Sequence, residues 1–222
     1  MKNDNIEVVV IDEPEDMNYE YGYKNSREKK RFISRCERYI RSSNEYKDYI
    51  AFLREHIGMD ACAFFNNISK ENGKKVRIEV HHEPLRLFDL VSIVIEKFDQ
   101  EGYPLNDLMI SEEVMKIHYQ NMVGLIPLSK TLHEVVHNSD KLVIPAYMIF
   151  GDYNKFVELY GDYMDEYQLG KIEKMIEVTK SLKKDNFKCL DEKITYIQVD
   201  GFTMPAKLGN DAAESENTSE VA

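Results

Sequence analysis

Four histidines in this chain fall into two tightly spaced pairs: His81-His82, in tandem, and His133 and His137, four residues apart. A neutral imidazole near pH 7 can ligate a divalent cation or take a proton from water. Two such pairs therefore supply the residue types for metal-assisted hydrolysis. Three imidazoles suit Zn²⁺, Ni²⁺ or Mn²⁺ better than Mg²⁺, which prefers oxygen. Glu79 and Glu134 stand close enough in sequence to orient a ligating imidazole from behind. The run His133-Glu134-Val-Val-His137 is also a literal HExxH, the zinc metalloprotease signature, with Glu134 as base and a carboxylate such as Glu158 as third ligand. His56 and His118 read as ordinary helix-face residues.

The elements that must position these groups follow from local pattern. Val76 to His82 reads as a strand stopped by Pro84, so His81 and His82 point to opposite faces. Ala61 to Ile68 reads as its hairpin partner, with Asn72-Gly73 as turn signal. Leu85 to Phe98 reads as a buried helix, and Ser111 as the cap of another running to Asn121. Val123 to Leu128 is a short apolar strand feeding a helix that opens at Ser129 or Thr131. That helix carries His133 and His137 on one face. Strand, strand and helix in this order can close around one metal.

Further helices are expected from Ser26 to Arg41, from Asn44 to His56, from Tyr153 to Met164 and from Glu166 to Ser181. In the first, Phe32, Cys36, Tyr39 and Ile40 form an apolar face. A final hairpin is expected over Lys188 to Val199, turning at Asp191-Glu192, and the polar tail after Lys207 is expected to be disordered. The fold class is α+β, mostly helical, with a small ββα core and a large helical insertion between its two strands. The expected divisions are an acidic arm (1–23), a basic helical segment (24–58), the core (59–140, insertion 85–121), C-terminal helices and hairpin (141–204) and an acidic tail (205–222).

Ile78-Glu-Val-His81-His82-Glu-Pro84, followed by Gly124-Leu-Ile-Pro-Leu-Ser-Lys-Thr-Leu-His133-Glu-Val-Val-His137, resembles the HNH, or ββα-metal, endonucleases. The tandem-histidine, HxxxH version is similar to the colicin-type nucleases. The stretch from Cys62 to Tyr160 also looks like HNH proteins of large bacteriophages. The resemblance implies His81, His133 and His137 as ligands to one divalent cation (Zn, Ni, Mn or Mg) and His82 as general base. It implies an endonuclease hydrolysing phosphodiester bonds in DNA. The chain departs from the pattern in having Gly124 where the family carries a loop-stapling Asn, with Asn121 three residues earlier. It also has some forty residues between the strands, and Ser129 and Leu132 where many HNH domains have cysteines. An inactive HNH-fold phage accessory or inhibitor protein is the alternative that the Gly124 departure would favour, and the HExxH metalloprotease is a second.

Bulk properties bound the partners. The 222 residues are 43% hydrophobic and 31% charged, the balance of a soluble globular chain. The net charge of −11 counts against a DNA-coating protein. That charge is uneven: residues 1–23 carry one Lys against seven acids, whereas residues 24–41 carry eight Lys and Arg against two Glu. Arg27, Lys30, Arg31, Arg35 and Arg38 on the basic helix are the candidate DNA contacts. Three scattered cysteines with no CxxC indicate neither a disulfide framework nor a cysteine zinc site. No apolar run reaches the ~20 residues of a membrane helix. No secretory signal is present, so the expected location is the cytoplasm, the host's if the chain is phage-encoded.

Overall fold

The computed structural model describes residue 23, residues 25–65, 77–138 and 142–182, and the backbone of 194–199 and 202–208. It is mostly helical with small antiparallel sheets, an α+β arrangement. Helix α1 (Ser26–Ser42) starts at Asn25, whose side chain accepts from the Arg27 and Glu28 amides, and buries Phe32, Ile33, Cys36 and Ile40. Tyr39 is half exposed and Ile33 takes its place in the apolar face. Helix α2 (Asn44–Glu55) is capped by Ser43 rather than Asn44.

Strand β1 (Ile78–His82) pairs antiparallel with β2 (Leu125–Ser129), placing His81 opposite Ile126 and His82 opposite Leu125. Between them run α3 (Leu87–Gln100) and α4 (Asp107–Tyr119). Helix α3 is apolar nearly all round, with Leu87, Leu90, Val91, Ile93, Val94 and Ile95 buried, and forms the centre of the core. Helix α4 begins four residues before Ser111. The Asn106 side chain accepts the Leu108 amide and caps it, leaving Ser111 buried inside the helix with an unpartnered hydroxyl.

Helix α5 (Lys130–Asn138) follows β2 without a loop, and its first amide donates to the Arg77 carbonyl at 2.9 Å. Phe150 exchanges two 2.8 Å backbone hydrogen bonds with Leu125, adding a third segment beside β2. Helices α6 (Tyr153–Tyr160) and α7 (Glu166–Ser181) are capped by Asp152 and Asp165.

Two elements differ from expectation. Residues Ala61 to Phe65 form no strand; the Ala63 amide instead donates to Pro127 at the edge of the β1–β2 pair, at 2.9 Å. The rest of that expected hairpin lies outside the described residues. The final hairpin is β3 (Ile194–Val199) with β4 (Phe202–Leu208), one segment later than expected. Its connection is Asp200-Gly201, a dipeptide with far stronger hairpin preference than Asp191-Glu192. The tail beyond Leu208 and the acidic arm before Tyr23 lie outside the described residues. Among those described, no helix is long and apolar enough to cross a membrane.

Candidate metal centre

Strand alternation separates the tandem histidines. His81 faces α5, where its ring centroid lies 5.0 Å from that of His133 and 4.9 Å from that of His137. The four-residue spacing on α5 stacks His133 and His137 on one face, with their Nε2 atoms 3.2 Å apart. One ligand atom from each of the three lies within 4.8 Å of the others. Two imidazoles on a tetrahedral zinc ion, with Zn–N bonds of about 2.0–2.1 Å, place their nitrogens about 3.3 Å apart. The donor set and its spacing thus fit a divalent transition metal, and three protein ligands leave a fourth position for water or substrate.

The carboxylates around the cluster have distinct partners. Glu79 lies on the same face of β1 as His81, and its Oε2 stands 2.9 Å from Nδ1 of His133. A carboxylate beside Nδ1 favours the tautomer that carries its proton there and turns the Nε2 lone pair to the cluster. The other Glu79 oxygen forms an ion pair with Arg77, 2.9 Å from its Nε. Glu83 Oε2 lies 3.2 Å from His81 Nε2, a contact with no counterpart in the sequence reading. Glu134 is largely exposed and lies 3.6 Å from Lys130.

Desolvation, followed by the neighbouring His81, pushes the His133 pKa down. Desolvation, His81, His133, Arg86 and Arg41 together push His137 down to about 4. The lowered values favour the neutral form of His133 and His137, the form in which an imidazole can ligate a metal. Arg41 and Arg86 are cations at the margin of the site that the sequence did not single out.

The structure does not bring His82 to this cluster. Its side chain points to the opposite face of β1, is 3% exposed, and stacks on Tyr46 with centroids 6.3 Å apart. His82 Nε2 lies 2.9 Å from His118 Nε2. His118 Nδ1 in turn donates to the Val114 carbonyl at 2.7 Å, so its Nε2 is the acceptor and His82 Nε2 the N–H donor. Burial is the largest cause lowering both pKa values, His118 to about 4 and His82 well below its usual range. The two rings are therefore a neutral buried pair. The sequence alone gives His118 no partner; its spacing four residues from Val114 on a helix with buried Ile110, Val114 and Ile117 is the signal that it faces inward.

Gly124 has a steric reason. A Cβ there would stand 1.8 Å from the Glu83 carbonyl oxygen and 2.9 Å from Ile149 Cγ2. The Glu83 amide donates to Gly124 O at 2.9 Å, so the end of β1 lies directly on this residue and no side chain fits. Asn121 does not substitute for the family's Asn: it sits at φ 56 beside His118, on the His82 side of the sheet.

Arg27, Lys30, Arg31, Arg35 and Arg38 all lie on the exposed face of α1 and line one shallow depression with Ser34. Arg35 is paired with Asp107 at 2.5 Å.

Comparison with known proteins places residues 1–200 in one family, described as Bacteriophage G278-like virion protein. No curated protein and no solved structure matches the chain.

Proposed function

Because the chain belongs to the bacteriophage G278-like virion protein family, we propose that it is a phage virion protein with one-metal phosphodiesterase activity of the HNH type, acting on DNA. The observation that carries the reading is the convergence of His81, His133 and His137 from a strand and the helix after its partner strand, with the Glu79 carboxylate beside His133. A divalent cation held there supplies positive charge to the scissile phosphate and the departing 3′ oxygen.

The residues of the chain do the rest. Glu79 fixes the His133 ring, and Arg41 and Arg86 add positive charge for an anionic substrate. Glu83, whose carboxylate reaches the cluster at His81, takes the proton of the attacking water in this proposal. His82 is buried and committed to His118, so its assigned role moves from base to support of β1. The exposed cations of α1 provide a sequence-independent contact to the DNA backbone.

A second reading has its own support: a virion protein that keeps the metal centre without turnover. The burial of His82 and the virion description of the family favour it. The metalloprotease reading draws less support, because Glu134 is exposed and paired with Lys130.

Supercoiled plasmid incubated with chelator, Mg²⁺, Mn²⁺, Ni²⁺ or Zn²⁺ tests the proposal. Nicking that needs metal and is lost in His133→Ala and Glu83→Gln is expected. Folded wild-type protein that cuts with none of these metals would overturn it in favour of the inactive centre.

A further inference from the structure

Beside the histidine cluster a cleft of about 540 Å³ opens between the Glu83–Arg86 segment, α5 and α7. Its volume is in the range of sites that enclose a small ligand. One of its lining residues, Glu83, also reaches the histidine cluster, with its Oε2 3.2 Å from His81 Nε2. The cleft therefore borders the cluster at Glu83.

Its α7 wall is built from Tyr167, Gly170, Lys171 and Lys174, residues three or four apart that share one face. Tyr167 is two-thirds exposed, and Lys171 Nζ lies over its ring, 4.6 Å from the centroid. Lys171 is also held by Asp89 at 2.7 Å. Gly170 is unusual. It sits inside a helix, where glycine is unfavourable by about 1 kcal/mol relative to alanine. Neither a positive φ nor a close neighbour requires it: a Cβ there meets nothing within 4 Å. What the missing side chain leaves is open space in the cleft, between an aromatic ring and a lysine. The lining carries Arg86, Lys171 and Lys174 beside Glu83 and Glu166, with Lys171 paired to Asp89.

We propose that this cleft is a nucleotide subsite, holding an unpaired nucleotide of a DNA strand next to the bond presented at the histidine cluster. The base lies on Tyr167 and the bare face at Gly170, and the phosphate lies toward Arg86 and the α7 lysines. Stacking of this kind is tolerant of sequence. A space of this size takes one or two nucleotides of a single strand and excludes a duplex. The assignment rests on the nuclease reading for its neighbour, but the binding itself does not need turnover.

The test is fluorescence anisotropy of full-length protein with a fluorescein-labelled twelve-residue oligothymidylate, in chelator so that no cutting occurs. Tyr167→Ala is expected to weaken binding about tenfold, in the range that stacking on one aromatic gives. Gly170→Leu, which fills the cleft, is expected to weaken it at least as much. Gly170→Ala is expected to bind like wild type and to melt at a higher temperature. Circular dichroism melts check folding; should Gly170→Leu fail to fold, the exposed Tyr167 decides alone. Wild-type protein that does not bind the oligomer, or binding unchanged in Tyr167→Ala and folded Gly170→Leu, overturns the subsite. Binding lost in the variants while wild type nicks no plasmid with any metal keeps the subsite and removes the nuclease. Unchanged binding with intact nicking does the reverse.

Discussion

Replacing His82 by alanine separates a structural from a catalytic histidine. The ring is 3% exposed, stacks on Tyr46, and donates Nε2–H to His118. Its removal leaves a cavity and an orphaned acceptor on His118. The unsatisfied acceptor costs about 1–3 kcal/mol, and the lost packing brings the total to about 3–5 kcal/mol. For a domain of this size each kcal/mol lowers Tm by roughly 2–4 °C, so a fall of about 10 °C is expected. Replacing both rings by leucine removes donor and acceptor together. The double variant is therefore expected to be more stable than the sum of the two single leucine changes predicts, by about 1–3 kcal/mol.

The same pair sets an acid limb. His118 has a folded pKa of about 4 against 6.5 for the free side chain. Between those values the unfolded chain binds more protons than the folded one, so stability rises with pH across the window. The contribution, on the order of 3 kcal/mol, is complete above about pH 6.5 and lost as pH falls toward 4. His118→Leu should flatten that limb. Urea melts from pH 4 to 8, followed by circular dichroism, measure both effects. A His82→Ala protein that melts with wild type but no longer cleaves DNA would refute the structural assignment and return His82 to the role of base.

Four further outcomes follow from particular contacts. Glu79→Gln removes the carboxylate charge beside His133 Nδ1 and should reduce zinc affinity by about 10- to 100-fold with little change in Tm of the metal-free protein; competition with a chromogenic chelator reads it. Gly124→Ala forces a Cβ against the Glu83 carbonyl and should destabilise by about 1–3 kcal/mol in denaturant melts; an unchanged midpoint would mean that the end of β1 does not rest on this residue. Asn106→Ala should cost about 1 kcal/mol as the loss of a helix cap. Ser111→Ala, which removes a buried unpartnered hydroxyl, should be neutral or stabilising in the same melts, the reverse of what a cap at Ser111 would give.

Much of the centre was legible in the chain because it depends on local periodicity. A four-residue spacing on a helix puts His133 and His137 on one face whatever surrounds them. Strand alternation likewise sends His81 and His82 to opposite sides. The two strands, the helices inserted between them and the basic face of α1 also follow from short-range pattern.

Which side of β1 would face the histidines of α5 was not in that pattern. It is decided by where α4 and α5 pack, because α5 covers His81 while α4 brings His118 to His82 across 36 residues. A helix-face histidine looks the same in sequence whether it meets solvent or a second buried imidazole. The need for glycine at position 124 is equally non-local, set by the Glu83 carbonyl forty-one positions away. The cleft depends on α7 standing beside the Glu83–Arg86 segment more than eighty residues earlier. Sequence alone determined which chemistry-bearing groups share a face. Only the tertiary structure decided which faces meet, since that follows from burying the apolar surfaces of α3, α4 and β2 together, to which each residue contributes without its local sequence recording the partner.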